Sequence, residues 1–382
     1  MEIYLVGGAI RDRLLDLPSG EKDWVVVHAT PSEMKHLGYK QVGKSFPVFI
    51  HPETGEEYAL ARKEVKTGTG YHGFDFDANP DITLEEDLSR RDLTINAIAE
   101  NKDGEIIDPF KGREDLSKRV LRHVSEAFKE DPLRVLRIAR FRAKLFNFGF
   151  NIADETKELV AKIVASDELS SLVPERVWIE TEKALNESRF DQYFKTLIEF
   201  GAFDQIYPDL SGIDKDFFSQ SIFQEAAKKN ISSRYRFAAI FLAFMKQEKG
   251  SIKNRVESMQ NNMNLPNKFK ELPLLIDQSM SLISKDIEKY KAEYILTILE
   301  TLDAIRKPDN LADVITVITL GQDQDLDEKI VLLQKSADLA RSIKISNLNE
   351  NGLEGNIIGE KLRELRIKKI EEISDIEALK FI

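Results

Sequence analysis

Two hydrophobic rhythms divide the chain. Over residues 1–125, short runs of β-branched and aromatic residues read as strands: YLVGG at 4–8, DWVVV at 23–27, FPVFI at 46–50, EEYALAR at 56–62 and EIIDP at 105–109. Between them IRDRLLDL, PSEMKHL and RRDLTINAIAE carry a helical period, so this part is expected to be an α/β domain. Residues 66–83, KTGTGYHGFDFDANPDIT, have no period and several glycines, and are expected to form a mobile loop. From residue 126 onward Leu, Phe, Ile and Ala recur at three- and four-residue spacing, as in ETKELVAKIV, PERVWIETEKAL and FDQYFKTLIEF. The second rhythm predicts helices almost throughout. The expected layout is an α/β head at 1–125, a helical neck at 126–210, a helical body at 211–310 and a helical tail at 311–382.

Composition narrows the chemistry. With no cysteine, disulfides, thiolate metal sites and cysteine nucleophiles are excluded. No apolar run approaches the roughly 20 residues of a membrane span, and charges near the N-terminus replace a signal peptide's apolar region, so a cytoplasmic protein is expected. A net charge of −11 argues against indiscriminate nucleic-acid binding. It is unevenly spread: residues 132–144, PLRVLRIARFRAK, hold five basic side chains and no acid, so a polyanion should dock locally.

Gly7 and Gly8 follow the first strand, and their lack of a Cβ lets the backbone turn sharply and a phosphate approach the amides. A helix expected from Ala9 to Leu17 would point its positive end there, and Arg11 adds a forked cation. Glu21 and Asp23 are two apart on an extended segment and so share a side. Paired carboxylates are costly unless a cation lies between them, and hard oxygen ligands suit Mg²⁺ bridging to substrate phosphates. Each feature alone has an ordinary reading as a turn, a solvated helix face or a strand start. Their joint order matches the DNA polymerase beta nucleotidyltransferase superfamily.

Further blocks sharpen the resemblance. SRRDLTINAIA (89–99) sets Arg90, Arg91 and Asp92 at an expected helix start with Asn96 a turn later, suited to a triphosphate and a ribose. In EDPLRVLRIARF (130–141), Asp131 reads as an N-cap before Pro132, while Arg134, Arg137 and Arg140 follow at three-residue spacing; Asp131 with Arg134 could offer an acceptor and donor pair to a base edge. Together GGAIRD with EKD, RRDLTINA, DPFKGREDL and EDPLRVLR resemble, in order and spacing, the class II CCA-adding enzymes of the bacterial tRNA nucleotidyltransferase and poly(A) polymerase family. A weaker likeness continues through VPERVWIETEKAL and GAFDQIYPDL.

The resemblance implies an α/β nucleotidyltransferase head, a mixed sheet with helices, followed by all-α neck, body and tail. It implies template-independent addition and repair of the tRNA 3′-terminal CCA from CTP and ATP, with Mg²⁺, and no membrane or protein partner. Glu21 and Asp23 fall at the metal-binding carboxylates; Gly8 and Arg11 at the nucleotide-phosphate site; Arg91 in the block holding ribose and triphosphate; Asp131 and Arg134 at the base-reading pair; Arg137 and Arg140 continue that helix toward the nucleotide. Glu57 is a candidate third carboxylate. Two departures stand out: position 21 is Glu where the family usually has Asp, and all five histidines lie before residue 124, so the HD phosphohydrolase site of many relatives is expected to be absent, and its phosphatase and phosphodiesterase activities with it. Poly(A) synthesis, partial addition of CC or A, and a tRNA-binding protein with a decayed site remain the alternatives. Lys228, Lys229, Arg234, Arg236 and the KLRELRIKK run at 361–369 could contact tRNA, although the last reads equally as a packed amphipathic helix.

Overall fold

The computed structural model describes residues 1–18, 20–42, 48–66, 74–77, 79–247, 250–286, 289–321, 326–344 and 355–378. The chain divides into two compact units, Met1–Phe218 and Ser219–Ile382.

The first unit opens with β1 (Glu2–Val6), α1 (Gly8–Leu14), β2 (Asp23–Val27), α2 (Pro31–His36), β3 (Lys40–Val42), β4 (Val48–Ile50) and β5 (Glu57–Leu60). It continues through β6 (Lys63–Lys66), β7 (Phe74–Asp77), α3 (Leu84–Ser89), β8 (Ala99–Glu100), β9 (Ile106–Ile107), α4 (Gly112–Lys118) and β10 (Val120–Leu121). Among the described residues the main sheet has seven strands in the order β3-β4-β5-β2-β1-β8-β9. It is mixed: β2 runs parallel to β5 and antiparallel to β1. Alternation along β2 explains its two faces, because Val25 and Val27 pack with Val6, Leu88 and Ala99 whereas Val26 packs with Met34, Phe49 and Leu60. Asp23 has the parity of Val25 and Val27, so it emerges on the α3 side at the start of the strand.

Three expectations change. RRDLTINAIAE is not one helix: Arg90 ends α3, residues 94–96 form a single 3₁₀ turn, and β8 follows. Asp92 accepts from the Leu93 amide at 2.8 Å and from Asn96 Nδ2 at 2.9 Å, local bonds that compete with helix propagation. The segment expected as a loop at 66–83 contributes Phe74–Asp77 to an antiparallel pair with Lys63–Lys66, while its residues 67–73 and 78 lie outside the described residues. α1 stops at Leu14 rather than Leu17.

Helices then take over: α5 (Leu133–Leu145), a short β11 (Asn151–Ile152) parallel to β10, α6 (Asp154–Ala165), α7 (Pro174–Leu185), α8 (Phe190–Glu199) and α9 (Phe203–Ile206). α5 packs against α7 and α8, and Phe194 stacks on Phe218 with centroids 4.5 Å apart. The second unit comprises α10 (Ser221–Lys228), α11 (Ser233–Lys246), α12 (Ile252–Met263), α13 (Asn267–Ile283), α14 (Ala292–Thr301), α15 (Pro308–Ile318), α16 (Leu326–Ser342) and α17 (Gly355–Ala378). α11 is buried nearly all round, with the unbroken run Arg236–Phe244 inside, and packs on α10, α13 and α15.

One contact in the first unit fixes the turn at 94–96. Asp108 caps α4 through the Gly112 and Arg113 amides at 2.6 and 2.9 Å, and Asp115 accepts the Thr94 hydroxyl at 2.7 Å. Gly112 lies so close to this turn that a Cβ there would sit 2.2 Å from the Thr94 carbonyl oxygen. Gly112→Ala is therefore expected to destabilise this unit by about 2 kcal/mol or more. The chain's two tryptophans, Trp24 and Trp178, both lie in it, so their fluorescence in a urea titration reports the loss. Gly359→Ala, at an exposed helical position with open space around it, should leave that midpoint unchanged.

Candidate active site

A cleft of 830 Å³ opens in the first unit, lined by the glycine turn, the start of β2, the 90–96 segment, α5 and α7. Gly8, Arg11, Glu21, Asp23, Arg91, Asp131, Arg134, Arg137 and Arg140 all line it. Glu57 does not; parallel pairing places it opposite Asp23 on β5, and it lines a smaller adjoining hollow of 200 Å³ with Asp23, Arg62, Arg90 and Arg91.

Gly7 makes the turn. Its φ of 76° is closed to most side chains, and its amide donates to the Ile98 carbonyl at 3.1 Å. A Cβ on it would stand 3.1 Å from Arg91 Nη1, so Arg91 lies directly against the bend. Asp87, fully buried, holds Arg91 at 3.3 Å and Arg90 at 2.7 Å. Against the upward push of its burial, these two guanidiniums hold the Asp87 carboxyl below the usual range. Arg91 Nε is buried and has no hydrogen-bond partner among the described residues.

Glu21 and Asp23 are both exposed toward solvent at the mouth of β2. Reduced access of bulk water raises the Asp23 pKa and the neighbouring Glu21 charge adds to the rise, while Arg91 and Arg137 pull the other way. A carboxylate that gains from neutralisation, beside a second one, fits a divalent cation. Among the described residues no group of three His, Asp or Glu converges as a complete cage, so other oxygens would have to finish the coordination.

Deeper in the cleft the side chains are tied to one another. Arg11 donates to Asp12 at 2.9 Å and to Asn96 Oδ1 at 2.5 Å. Asn96 donates to Asp92, whose other oxygen accepts Arg137 at 2.7–2.8 Å. Arg140 Nε donates to buried Glu180 at 2.7 Å. Against its burial, Arg137 holds the Asp92 carboxyl well below the usual range, and Asp92 in turn raises the Arg137 pKa. Phe141 forms an apolar wall, with the Arg11, Arg137 and Arg140 guanidiniums 5.1, 5.8 and 4.6 Å from its ring centre.

The Asp131 and Arg134 pair is also immobilised. Leu133 N donates to Asp131 Oδ1 at 3.1 Å, so Asp131 caps α5 from just before its first turn; Arg176 Nη2 donates to its other oxygen at 2.8 Å. Arg134, only 6% exposed, donates to the carbonyls of Ala127 and Arg90 at 2.7 and 2.6 Å. Sequence reasoning missed Arg176, Lys183, Arg62 and Phe141. For Arg176 and Lys183 a signal existed: with Glu180 they stand four and three residues apart on α7, one helical face. The arginine spacing in 134–140 gave no hint that Phe141 would lie under three cations.

No helix among the described residues is long and apolar enough to cross a membrane. Residues 3–122 match the family described as "Poly A polymerase head domain", and residues 149–213 match "Probable RNA and SrmB- binding site of polymerase A". The chain is 42% identical to the CCA-adding enzyme of Pseudomonas putida over 97% of its own length and 99% of that protein. The CCA-adding enzyme of Marinobacter nauticus is also 42% identical, over 97% of this chain and 98% of the relative. Among solved structures, the fold is similar to the Bacillus stearothermophilus CCA-adding enzyme in complex with CTP: TM-score 0.67, 24% identity, 97% of this chain and 89% of that one. It is likewise similar to the Thermotoga maritima CCA-adding enzyme complexed with tRNA-CCA: TM-score 0.65, 21% identity, 97% of this chain and 87% of that one. Identity this high, sustained from one end of the chain to the other, places the protein in the CCA-adding enzyme family of tRNA nucleotidyltransferases.

Proposed function

We propose that the chain adds C, C and A to tRNA 3′ ends from CTP and ATP without a nucleic-acid template, acting in the cytoplasm. The observation that carries this reading is the single cleft in which two exposed carboxylates, a glycine bend backed by Arg91, and a fixed Asp131–Arg134 pair are brought together. Relatives matched over almost the whole chain are named for CCA addition, which favours this substrate over a general RNA tail.

In this reading the 3′ oxygen of the tRNA attacks the α-phosphorus of the bound nucleotide, its proton leaves, and the bond to the β-phosphate breaks to release pyrophosphate. Glu21 and Asp23 would hold Mg²⁺, which when bound would supply neutralisation of charge at the α-phosphate and ease deprotonation of the attacking hydroxyl. Gly8 leaves space and backbone amides for the triphosphate, and Arg11 and Arg91 offset its charge. Asp131 and Arg134, each held by protein contacts rather than free to swing, present a rigid acceptor and donor to the base, so side chains choose between C and A. Arg137 and Arg140 complete the basic wall on α5. Glu57 stands ready as a third carboxylate beside Asp23. The neck at 126–210 supplies base recognition, while the body at 211–310 and tail at 311–382 hold the tRNA.

The direct test incubates the protein with tRNA transcripts lacking CCA and each labelled nucleotide, followed by sequencing of the products. Addition of CCA and then arrest is expected; long adenosine tracts, a single C or A step, or no addition would replace this reading. Asp23→Ala should lower kcat by roughly 10³-fold or more, several kcal/mol of lost charge stabilisation, with tRNA binding by filter retention unchanged. Arg134→Ala should blur the choice between CTP and ATP more than it slows transfer. Competition assays with both nucleotides measure the ratio, and an unaltered ratio removes Arg134 from base reading.

A further inference from the structure

Asp12 is a buried carboxylate at the cleft that the proposed chemistry does not use. It is 4% exposed, and both of its oxygens are engaged. Oδ1 accepts Arg11 Nε and Nη2 at 2.9 and 2.8 Å, and Oδ2 accepts Lys144 Nζ at 2.9 Å. Lys144 lies on α5, seven residues beyond Arg137 and so two helical turns along the same face. Arg137 holds Asp92, Asp92 holds Asn96, and Asn96 accepts Arg11. The contacts therefore form a closed ring that starts and ends on α5 and passes through α1 and the 94–96 turn.

We infer that Asp12 and Lys144 are positioning residues for nucleotide selection: they lock Arg11, at the phosphate end of the cleft, to the helix that carries Arg134. Two N–H donors converging on one Asp12 oxygen orient the Arg11 guanidinium and leave Nη1 for Asn96. The tie from Asp12 to Lys144 means that α1 and α5 move as one body, so triphosphate and base are read on one rigid frame. Without Lys144 the ring opens at its only lysine, and the distance between phosphate site and base site loses its restraint. Neither residue touches the reacting atoms. This inference rests on the reading of the cleft as the nucleotide site.

The test is steady-state kinetics on tRNA lacking CCA and on tRNA lacking only the final A, with Lys144→Met, Lys144→Arg, Asp12→Asn and the Asp12→Asn/Lys144→Met double variant. Losing one charge-assisted hydrogen bond should raise KM for CTP and for ATP about tenfold in Lys144→Met, with kcat within about twofold and more UTP misincorporated. Lys144→Arg should restore both. The double variant should be no worse than Asp12→Asn, because the two residues act as one unit. Unchanged KM and fidelity in Lys144→Met overturn the inference. So does an Arg variant as impaired as the Met variant, or a fall in kcat that tracks a lower melting temperature. The wild-type CTP titration is read separately: no saturation there overturns the nucleotide-site reading itself, whereas wild-type saturation with an unaltered variant overturns only the positioning role.

Discussion

A carboxylate drawn out of water stays charged only if cations and donors replace the solvent, and the cleft is built around that requirement. Asp92, Asp87 and Asp12 are all nearly or fully buried. Each is compensated by arginine or lysine: Arg137 on the first, Arg90 and Arg91 on the second, Arg11 and Lys144 on the third. Removing one member of such a buried pair typically costs about 3–5 kcal/mol, because the survivor is left charged without a partner. The arrangement is thus a poor way to gain stability and a good way to hold guanidiniums still. Arginines meant for a triphosphate would otherwise collapse on the nearest acid or wave in solvent; here buried acids aim them.

The same logic separates the two kinds of acid in the site. Asp92 and Asp87 are enclosed and overcompensated, so their carboxyls are held below the usual range and remain anionic. Asp23 is open to the cleft and undercompensated, with Glu21 beside it, and its pKa is raised. Buried acids serve as struts, whereas the exposed pair retains the appetite for a cation that a struts role would have satisfied. The β2 strand enforces the distinction, since its period of two sends Asp23 to the cleft side while Trp24 turns to the other face and stacks on Tyr58 at 5.5 Å.

Charge distribution resolves an apparent conflict. A chain of net charge −11 is an unpromising ligand for RNA and nucleotides. Nine arginines and lysines nevertheless line the cleft against five acids, so the local field there is positive and the overall charge discourages binding elsewhere. Lys228 pairs with Glu225 at 2.9 Å, Arg234 pairs with Asp313, and Arg363 pairs with Glu293 and Glu300. Arg236 is buried in α11. Basic residues of the second unit are thus partly engaged with neighbouring groups, while those of the cleft are aimed inward.

Residue order by itself determined the α/β head, the helical remainder and part of the cleft lining, because strand and helix periods are local and because glycine turn, carboxylate pair and arginine row are each contiguous; Arg62, Phe141, Arg176 and Lys183 joined that lining only on folding. It also determined that Glu21 and Asp23 share a side. Tertiary structure decided what those side chains do to one another. That Asp92 would serve as a strut to Arg137, that Asp12 would meet Lys144 from 132 residues away, and that Gly112 would have no room for a Cβ are contacts between distant segments. Burial and pairing belong to the folded chain alone: a carboxylate's charge, and a guanidinium's freedom, depend on which remote group has displaced the water around it.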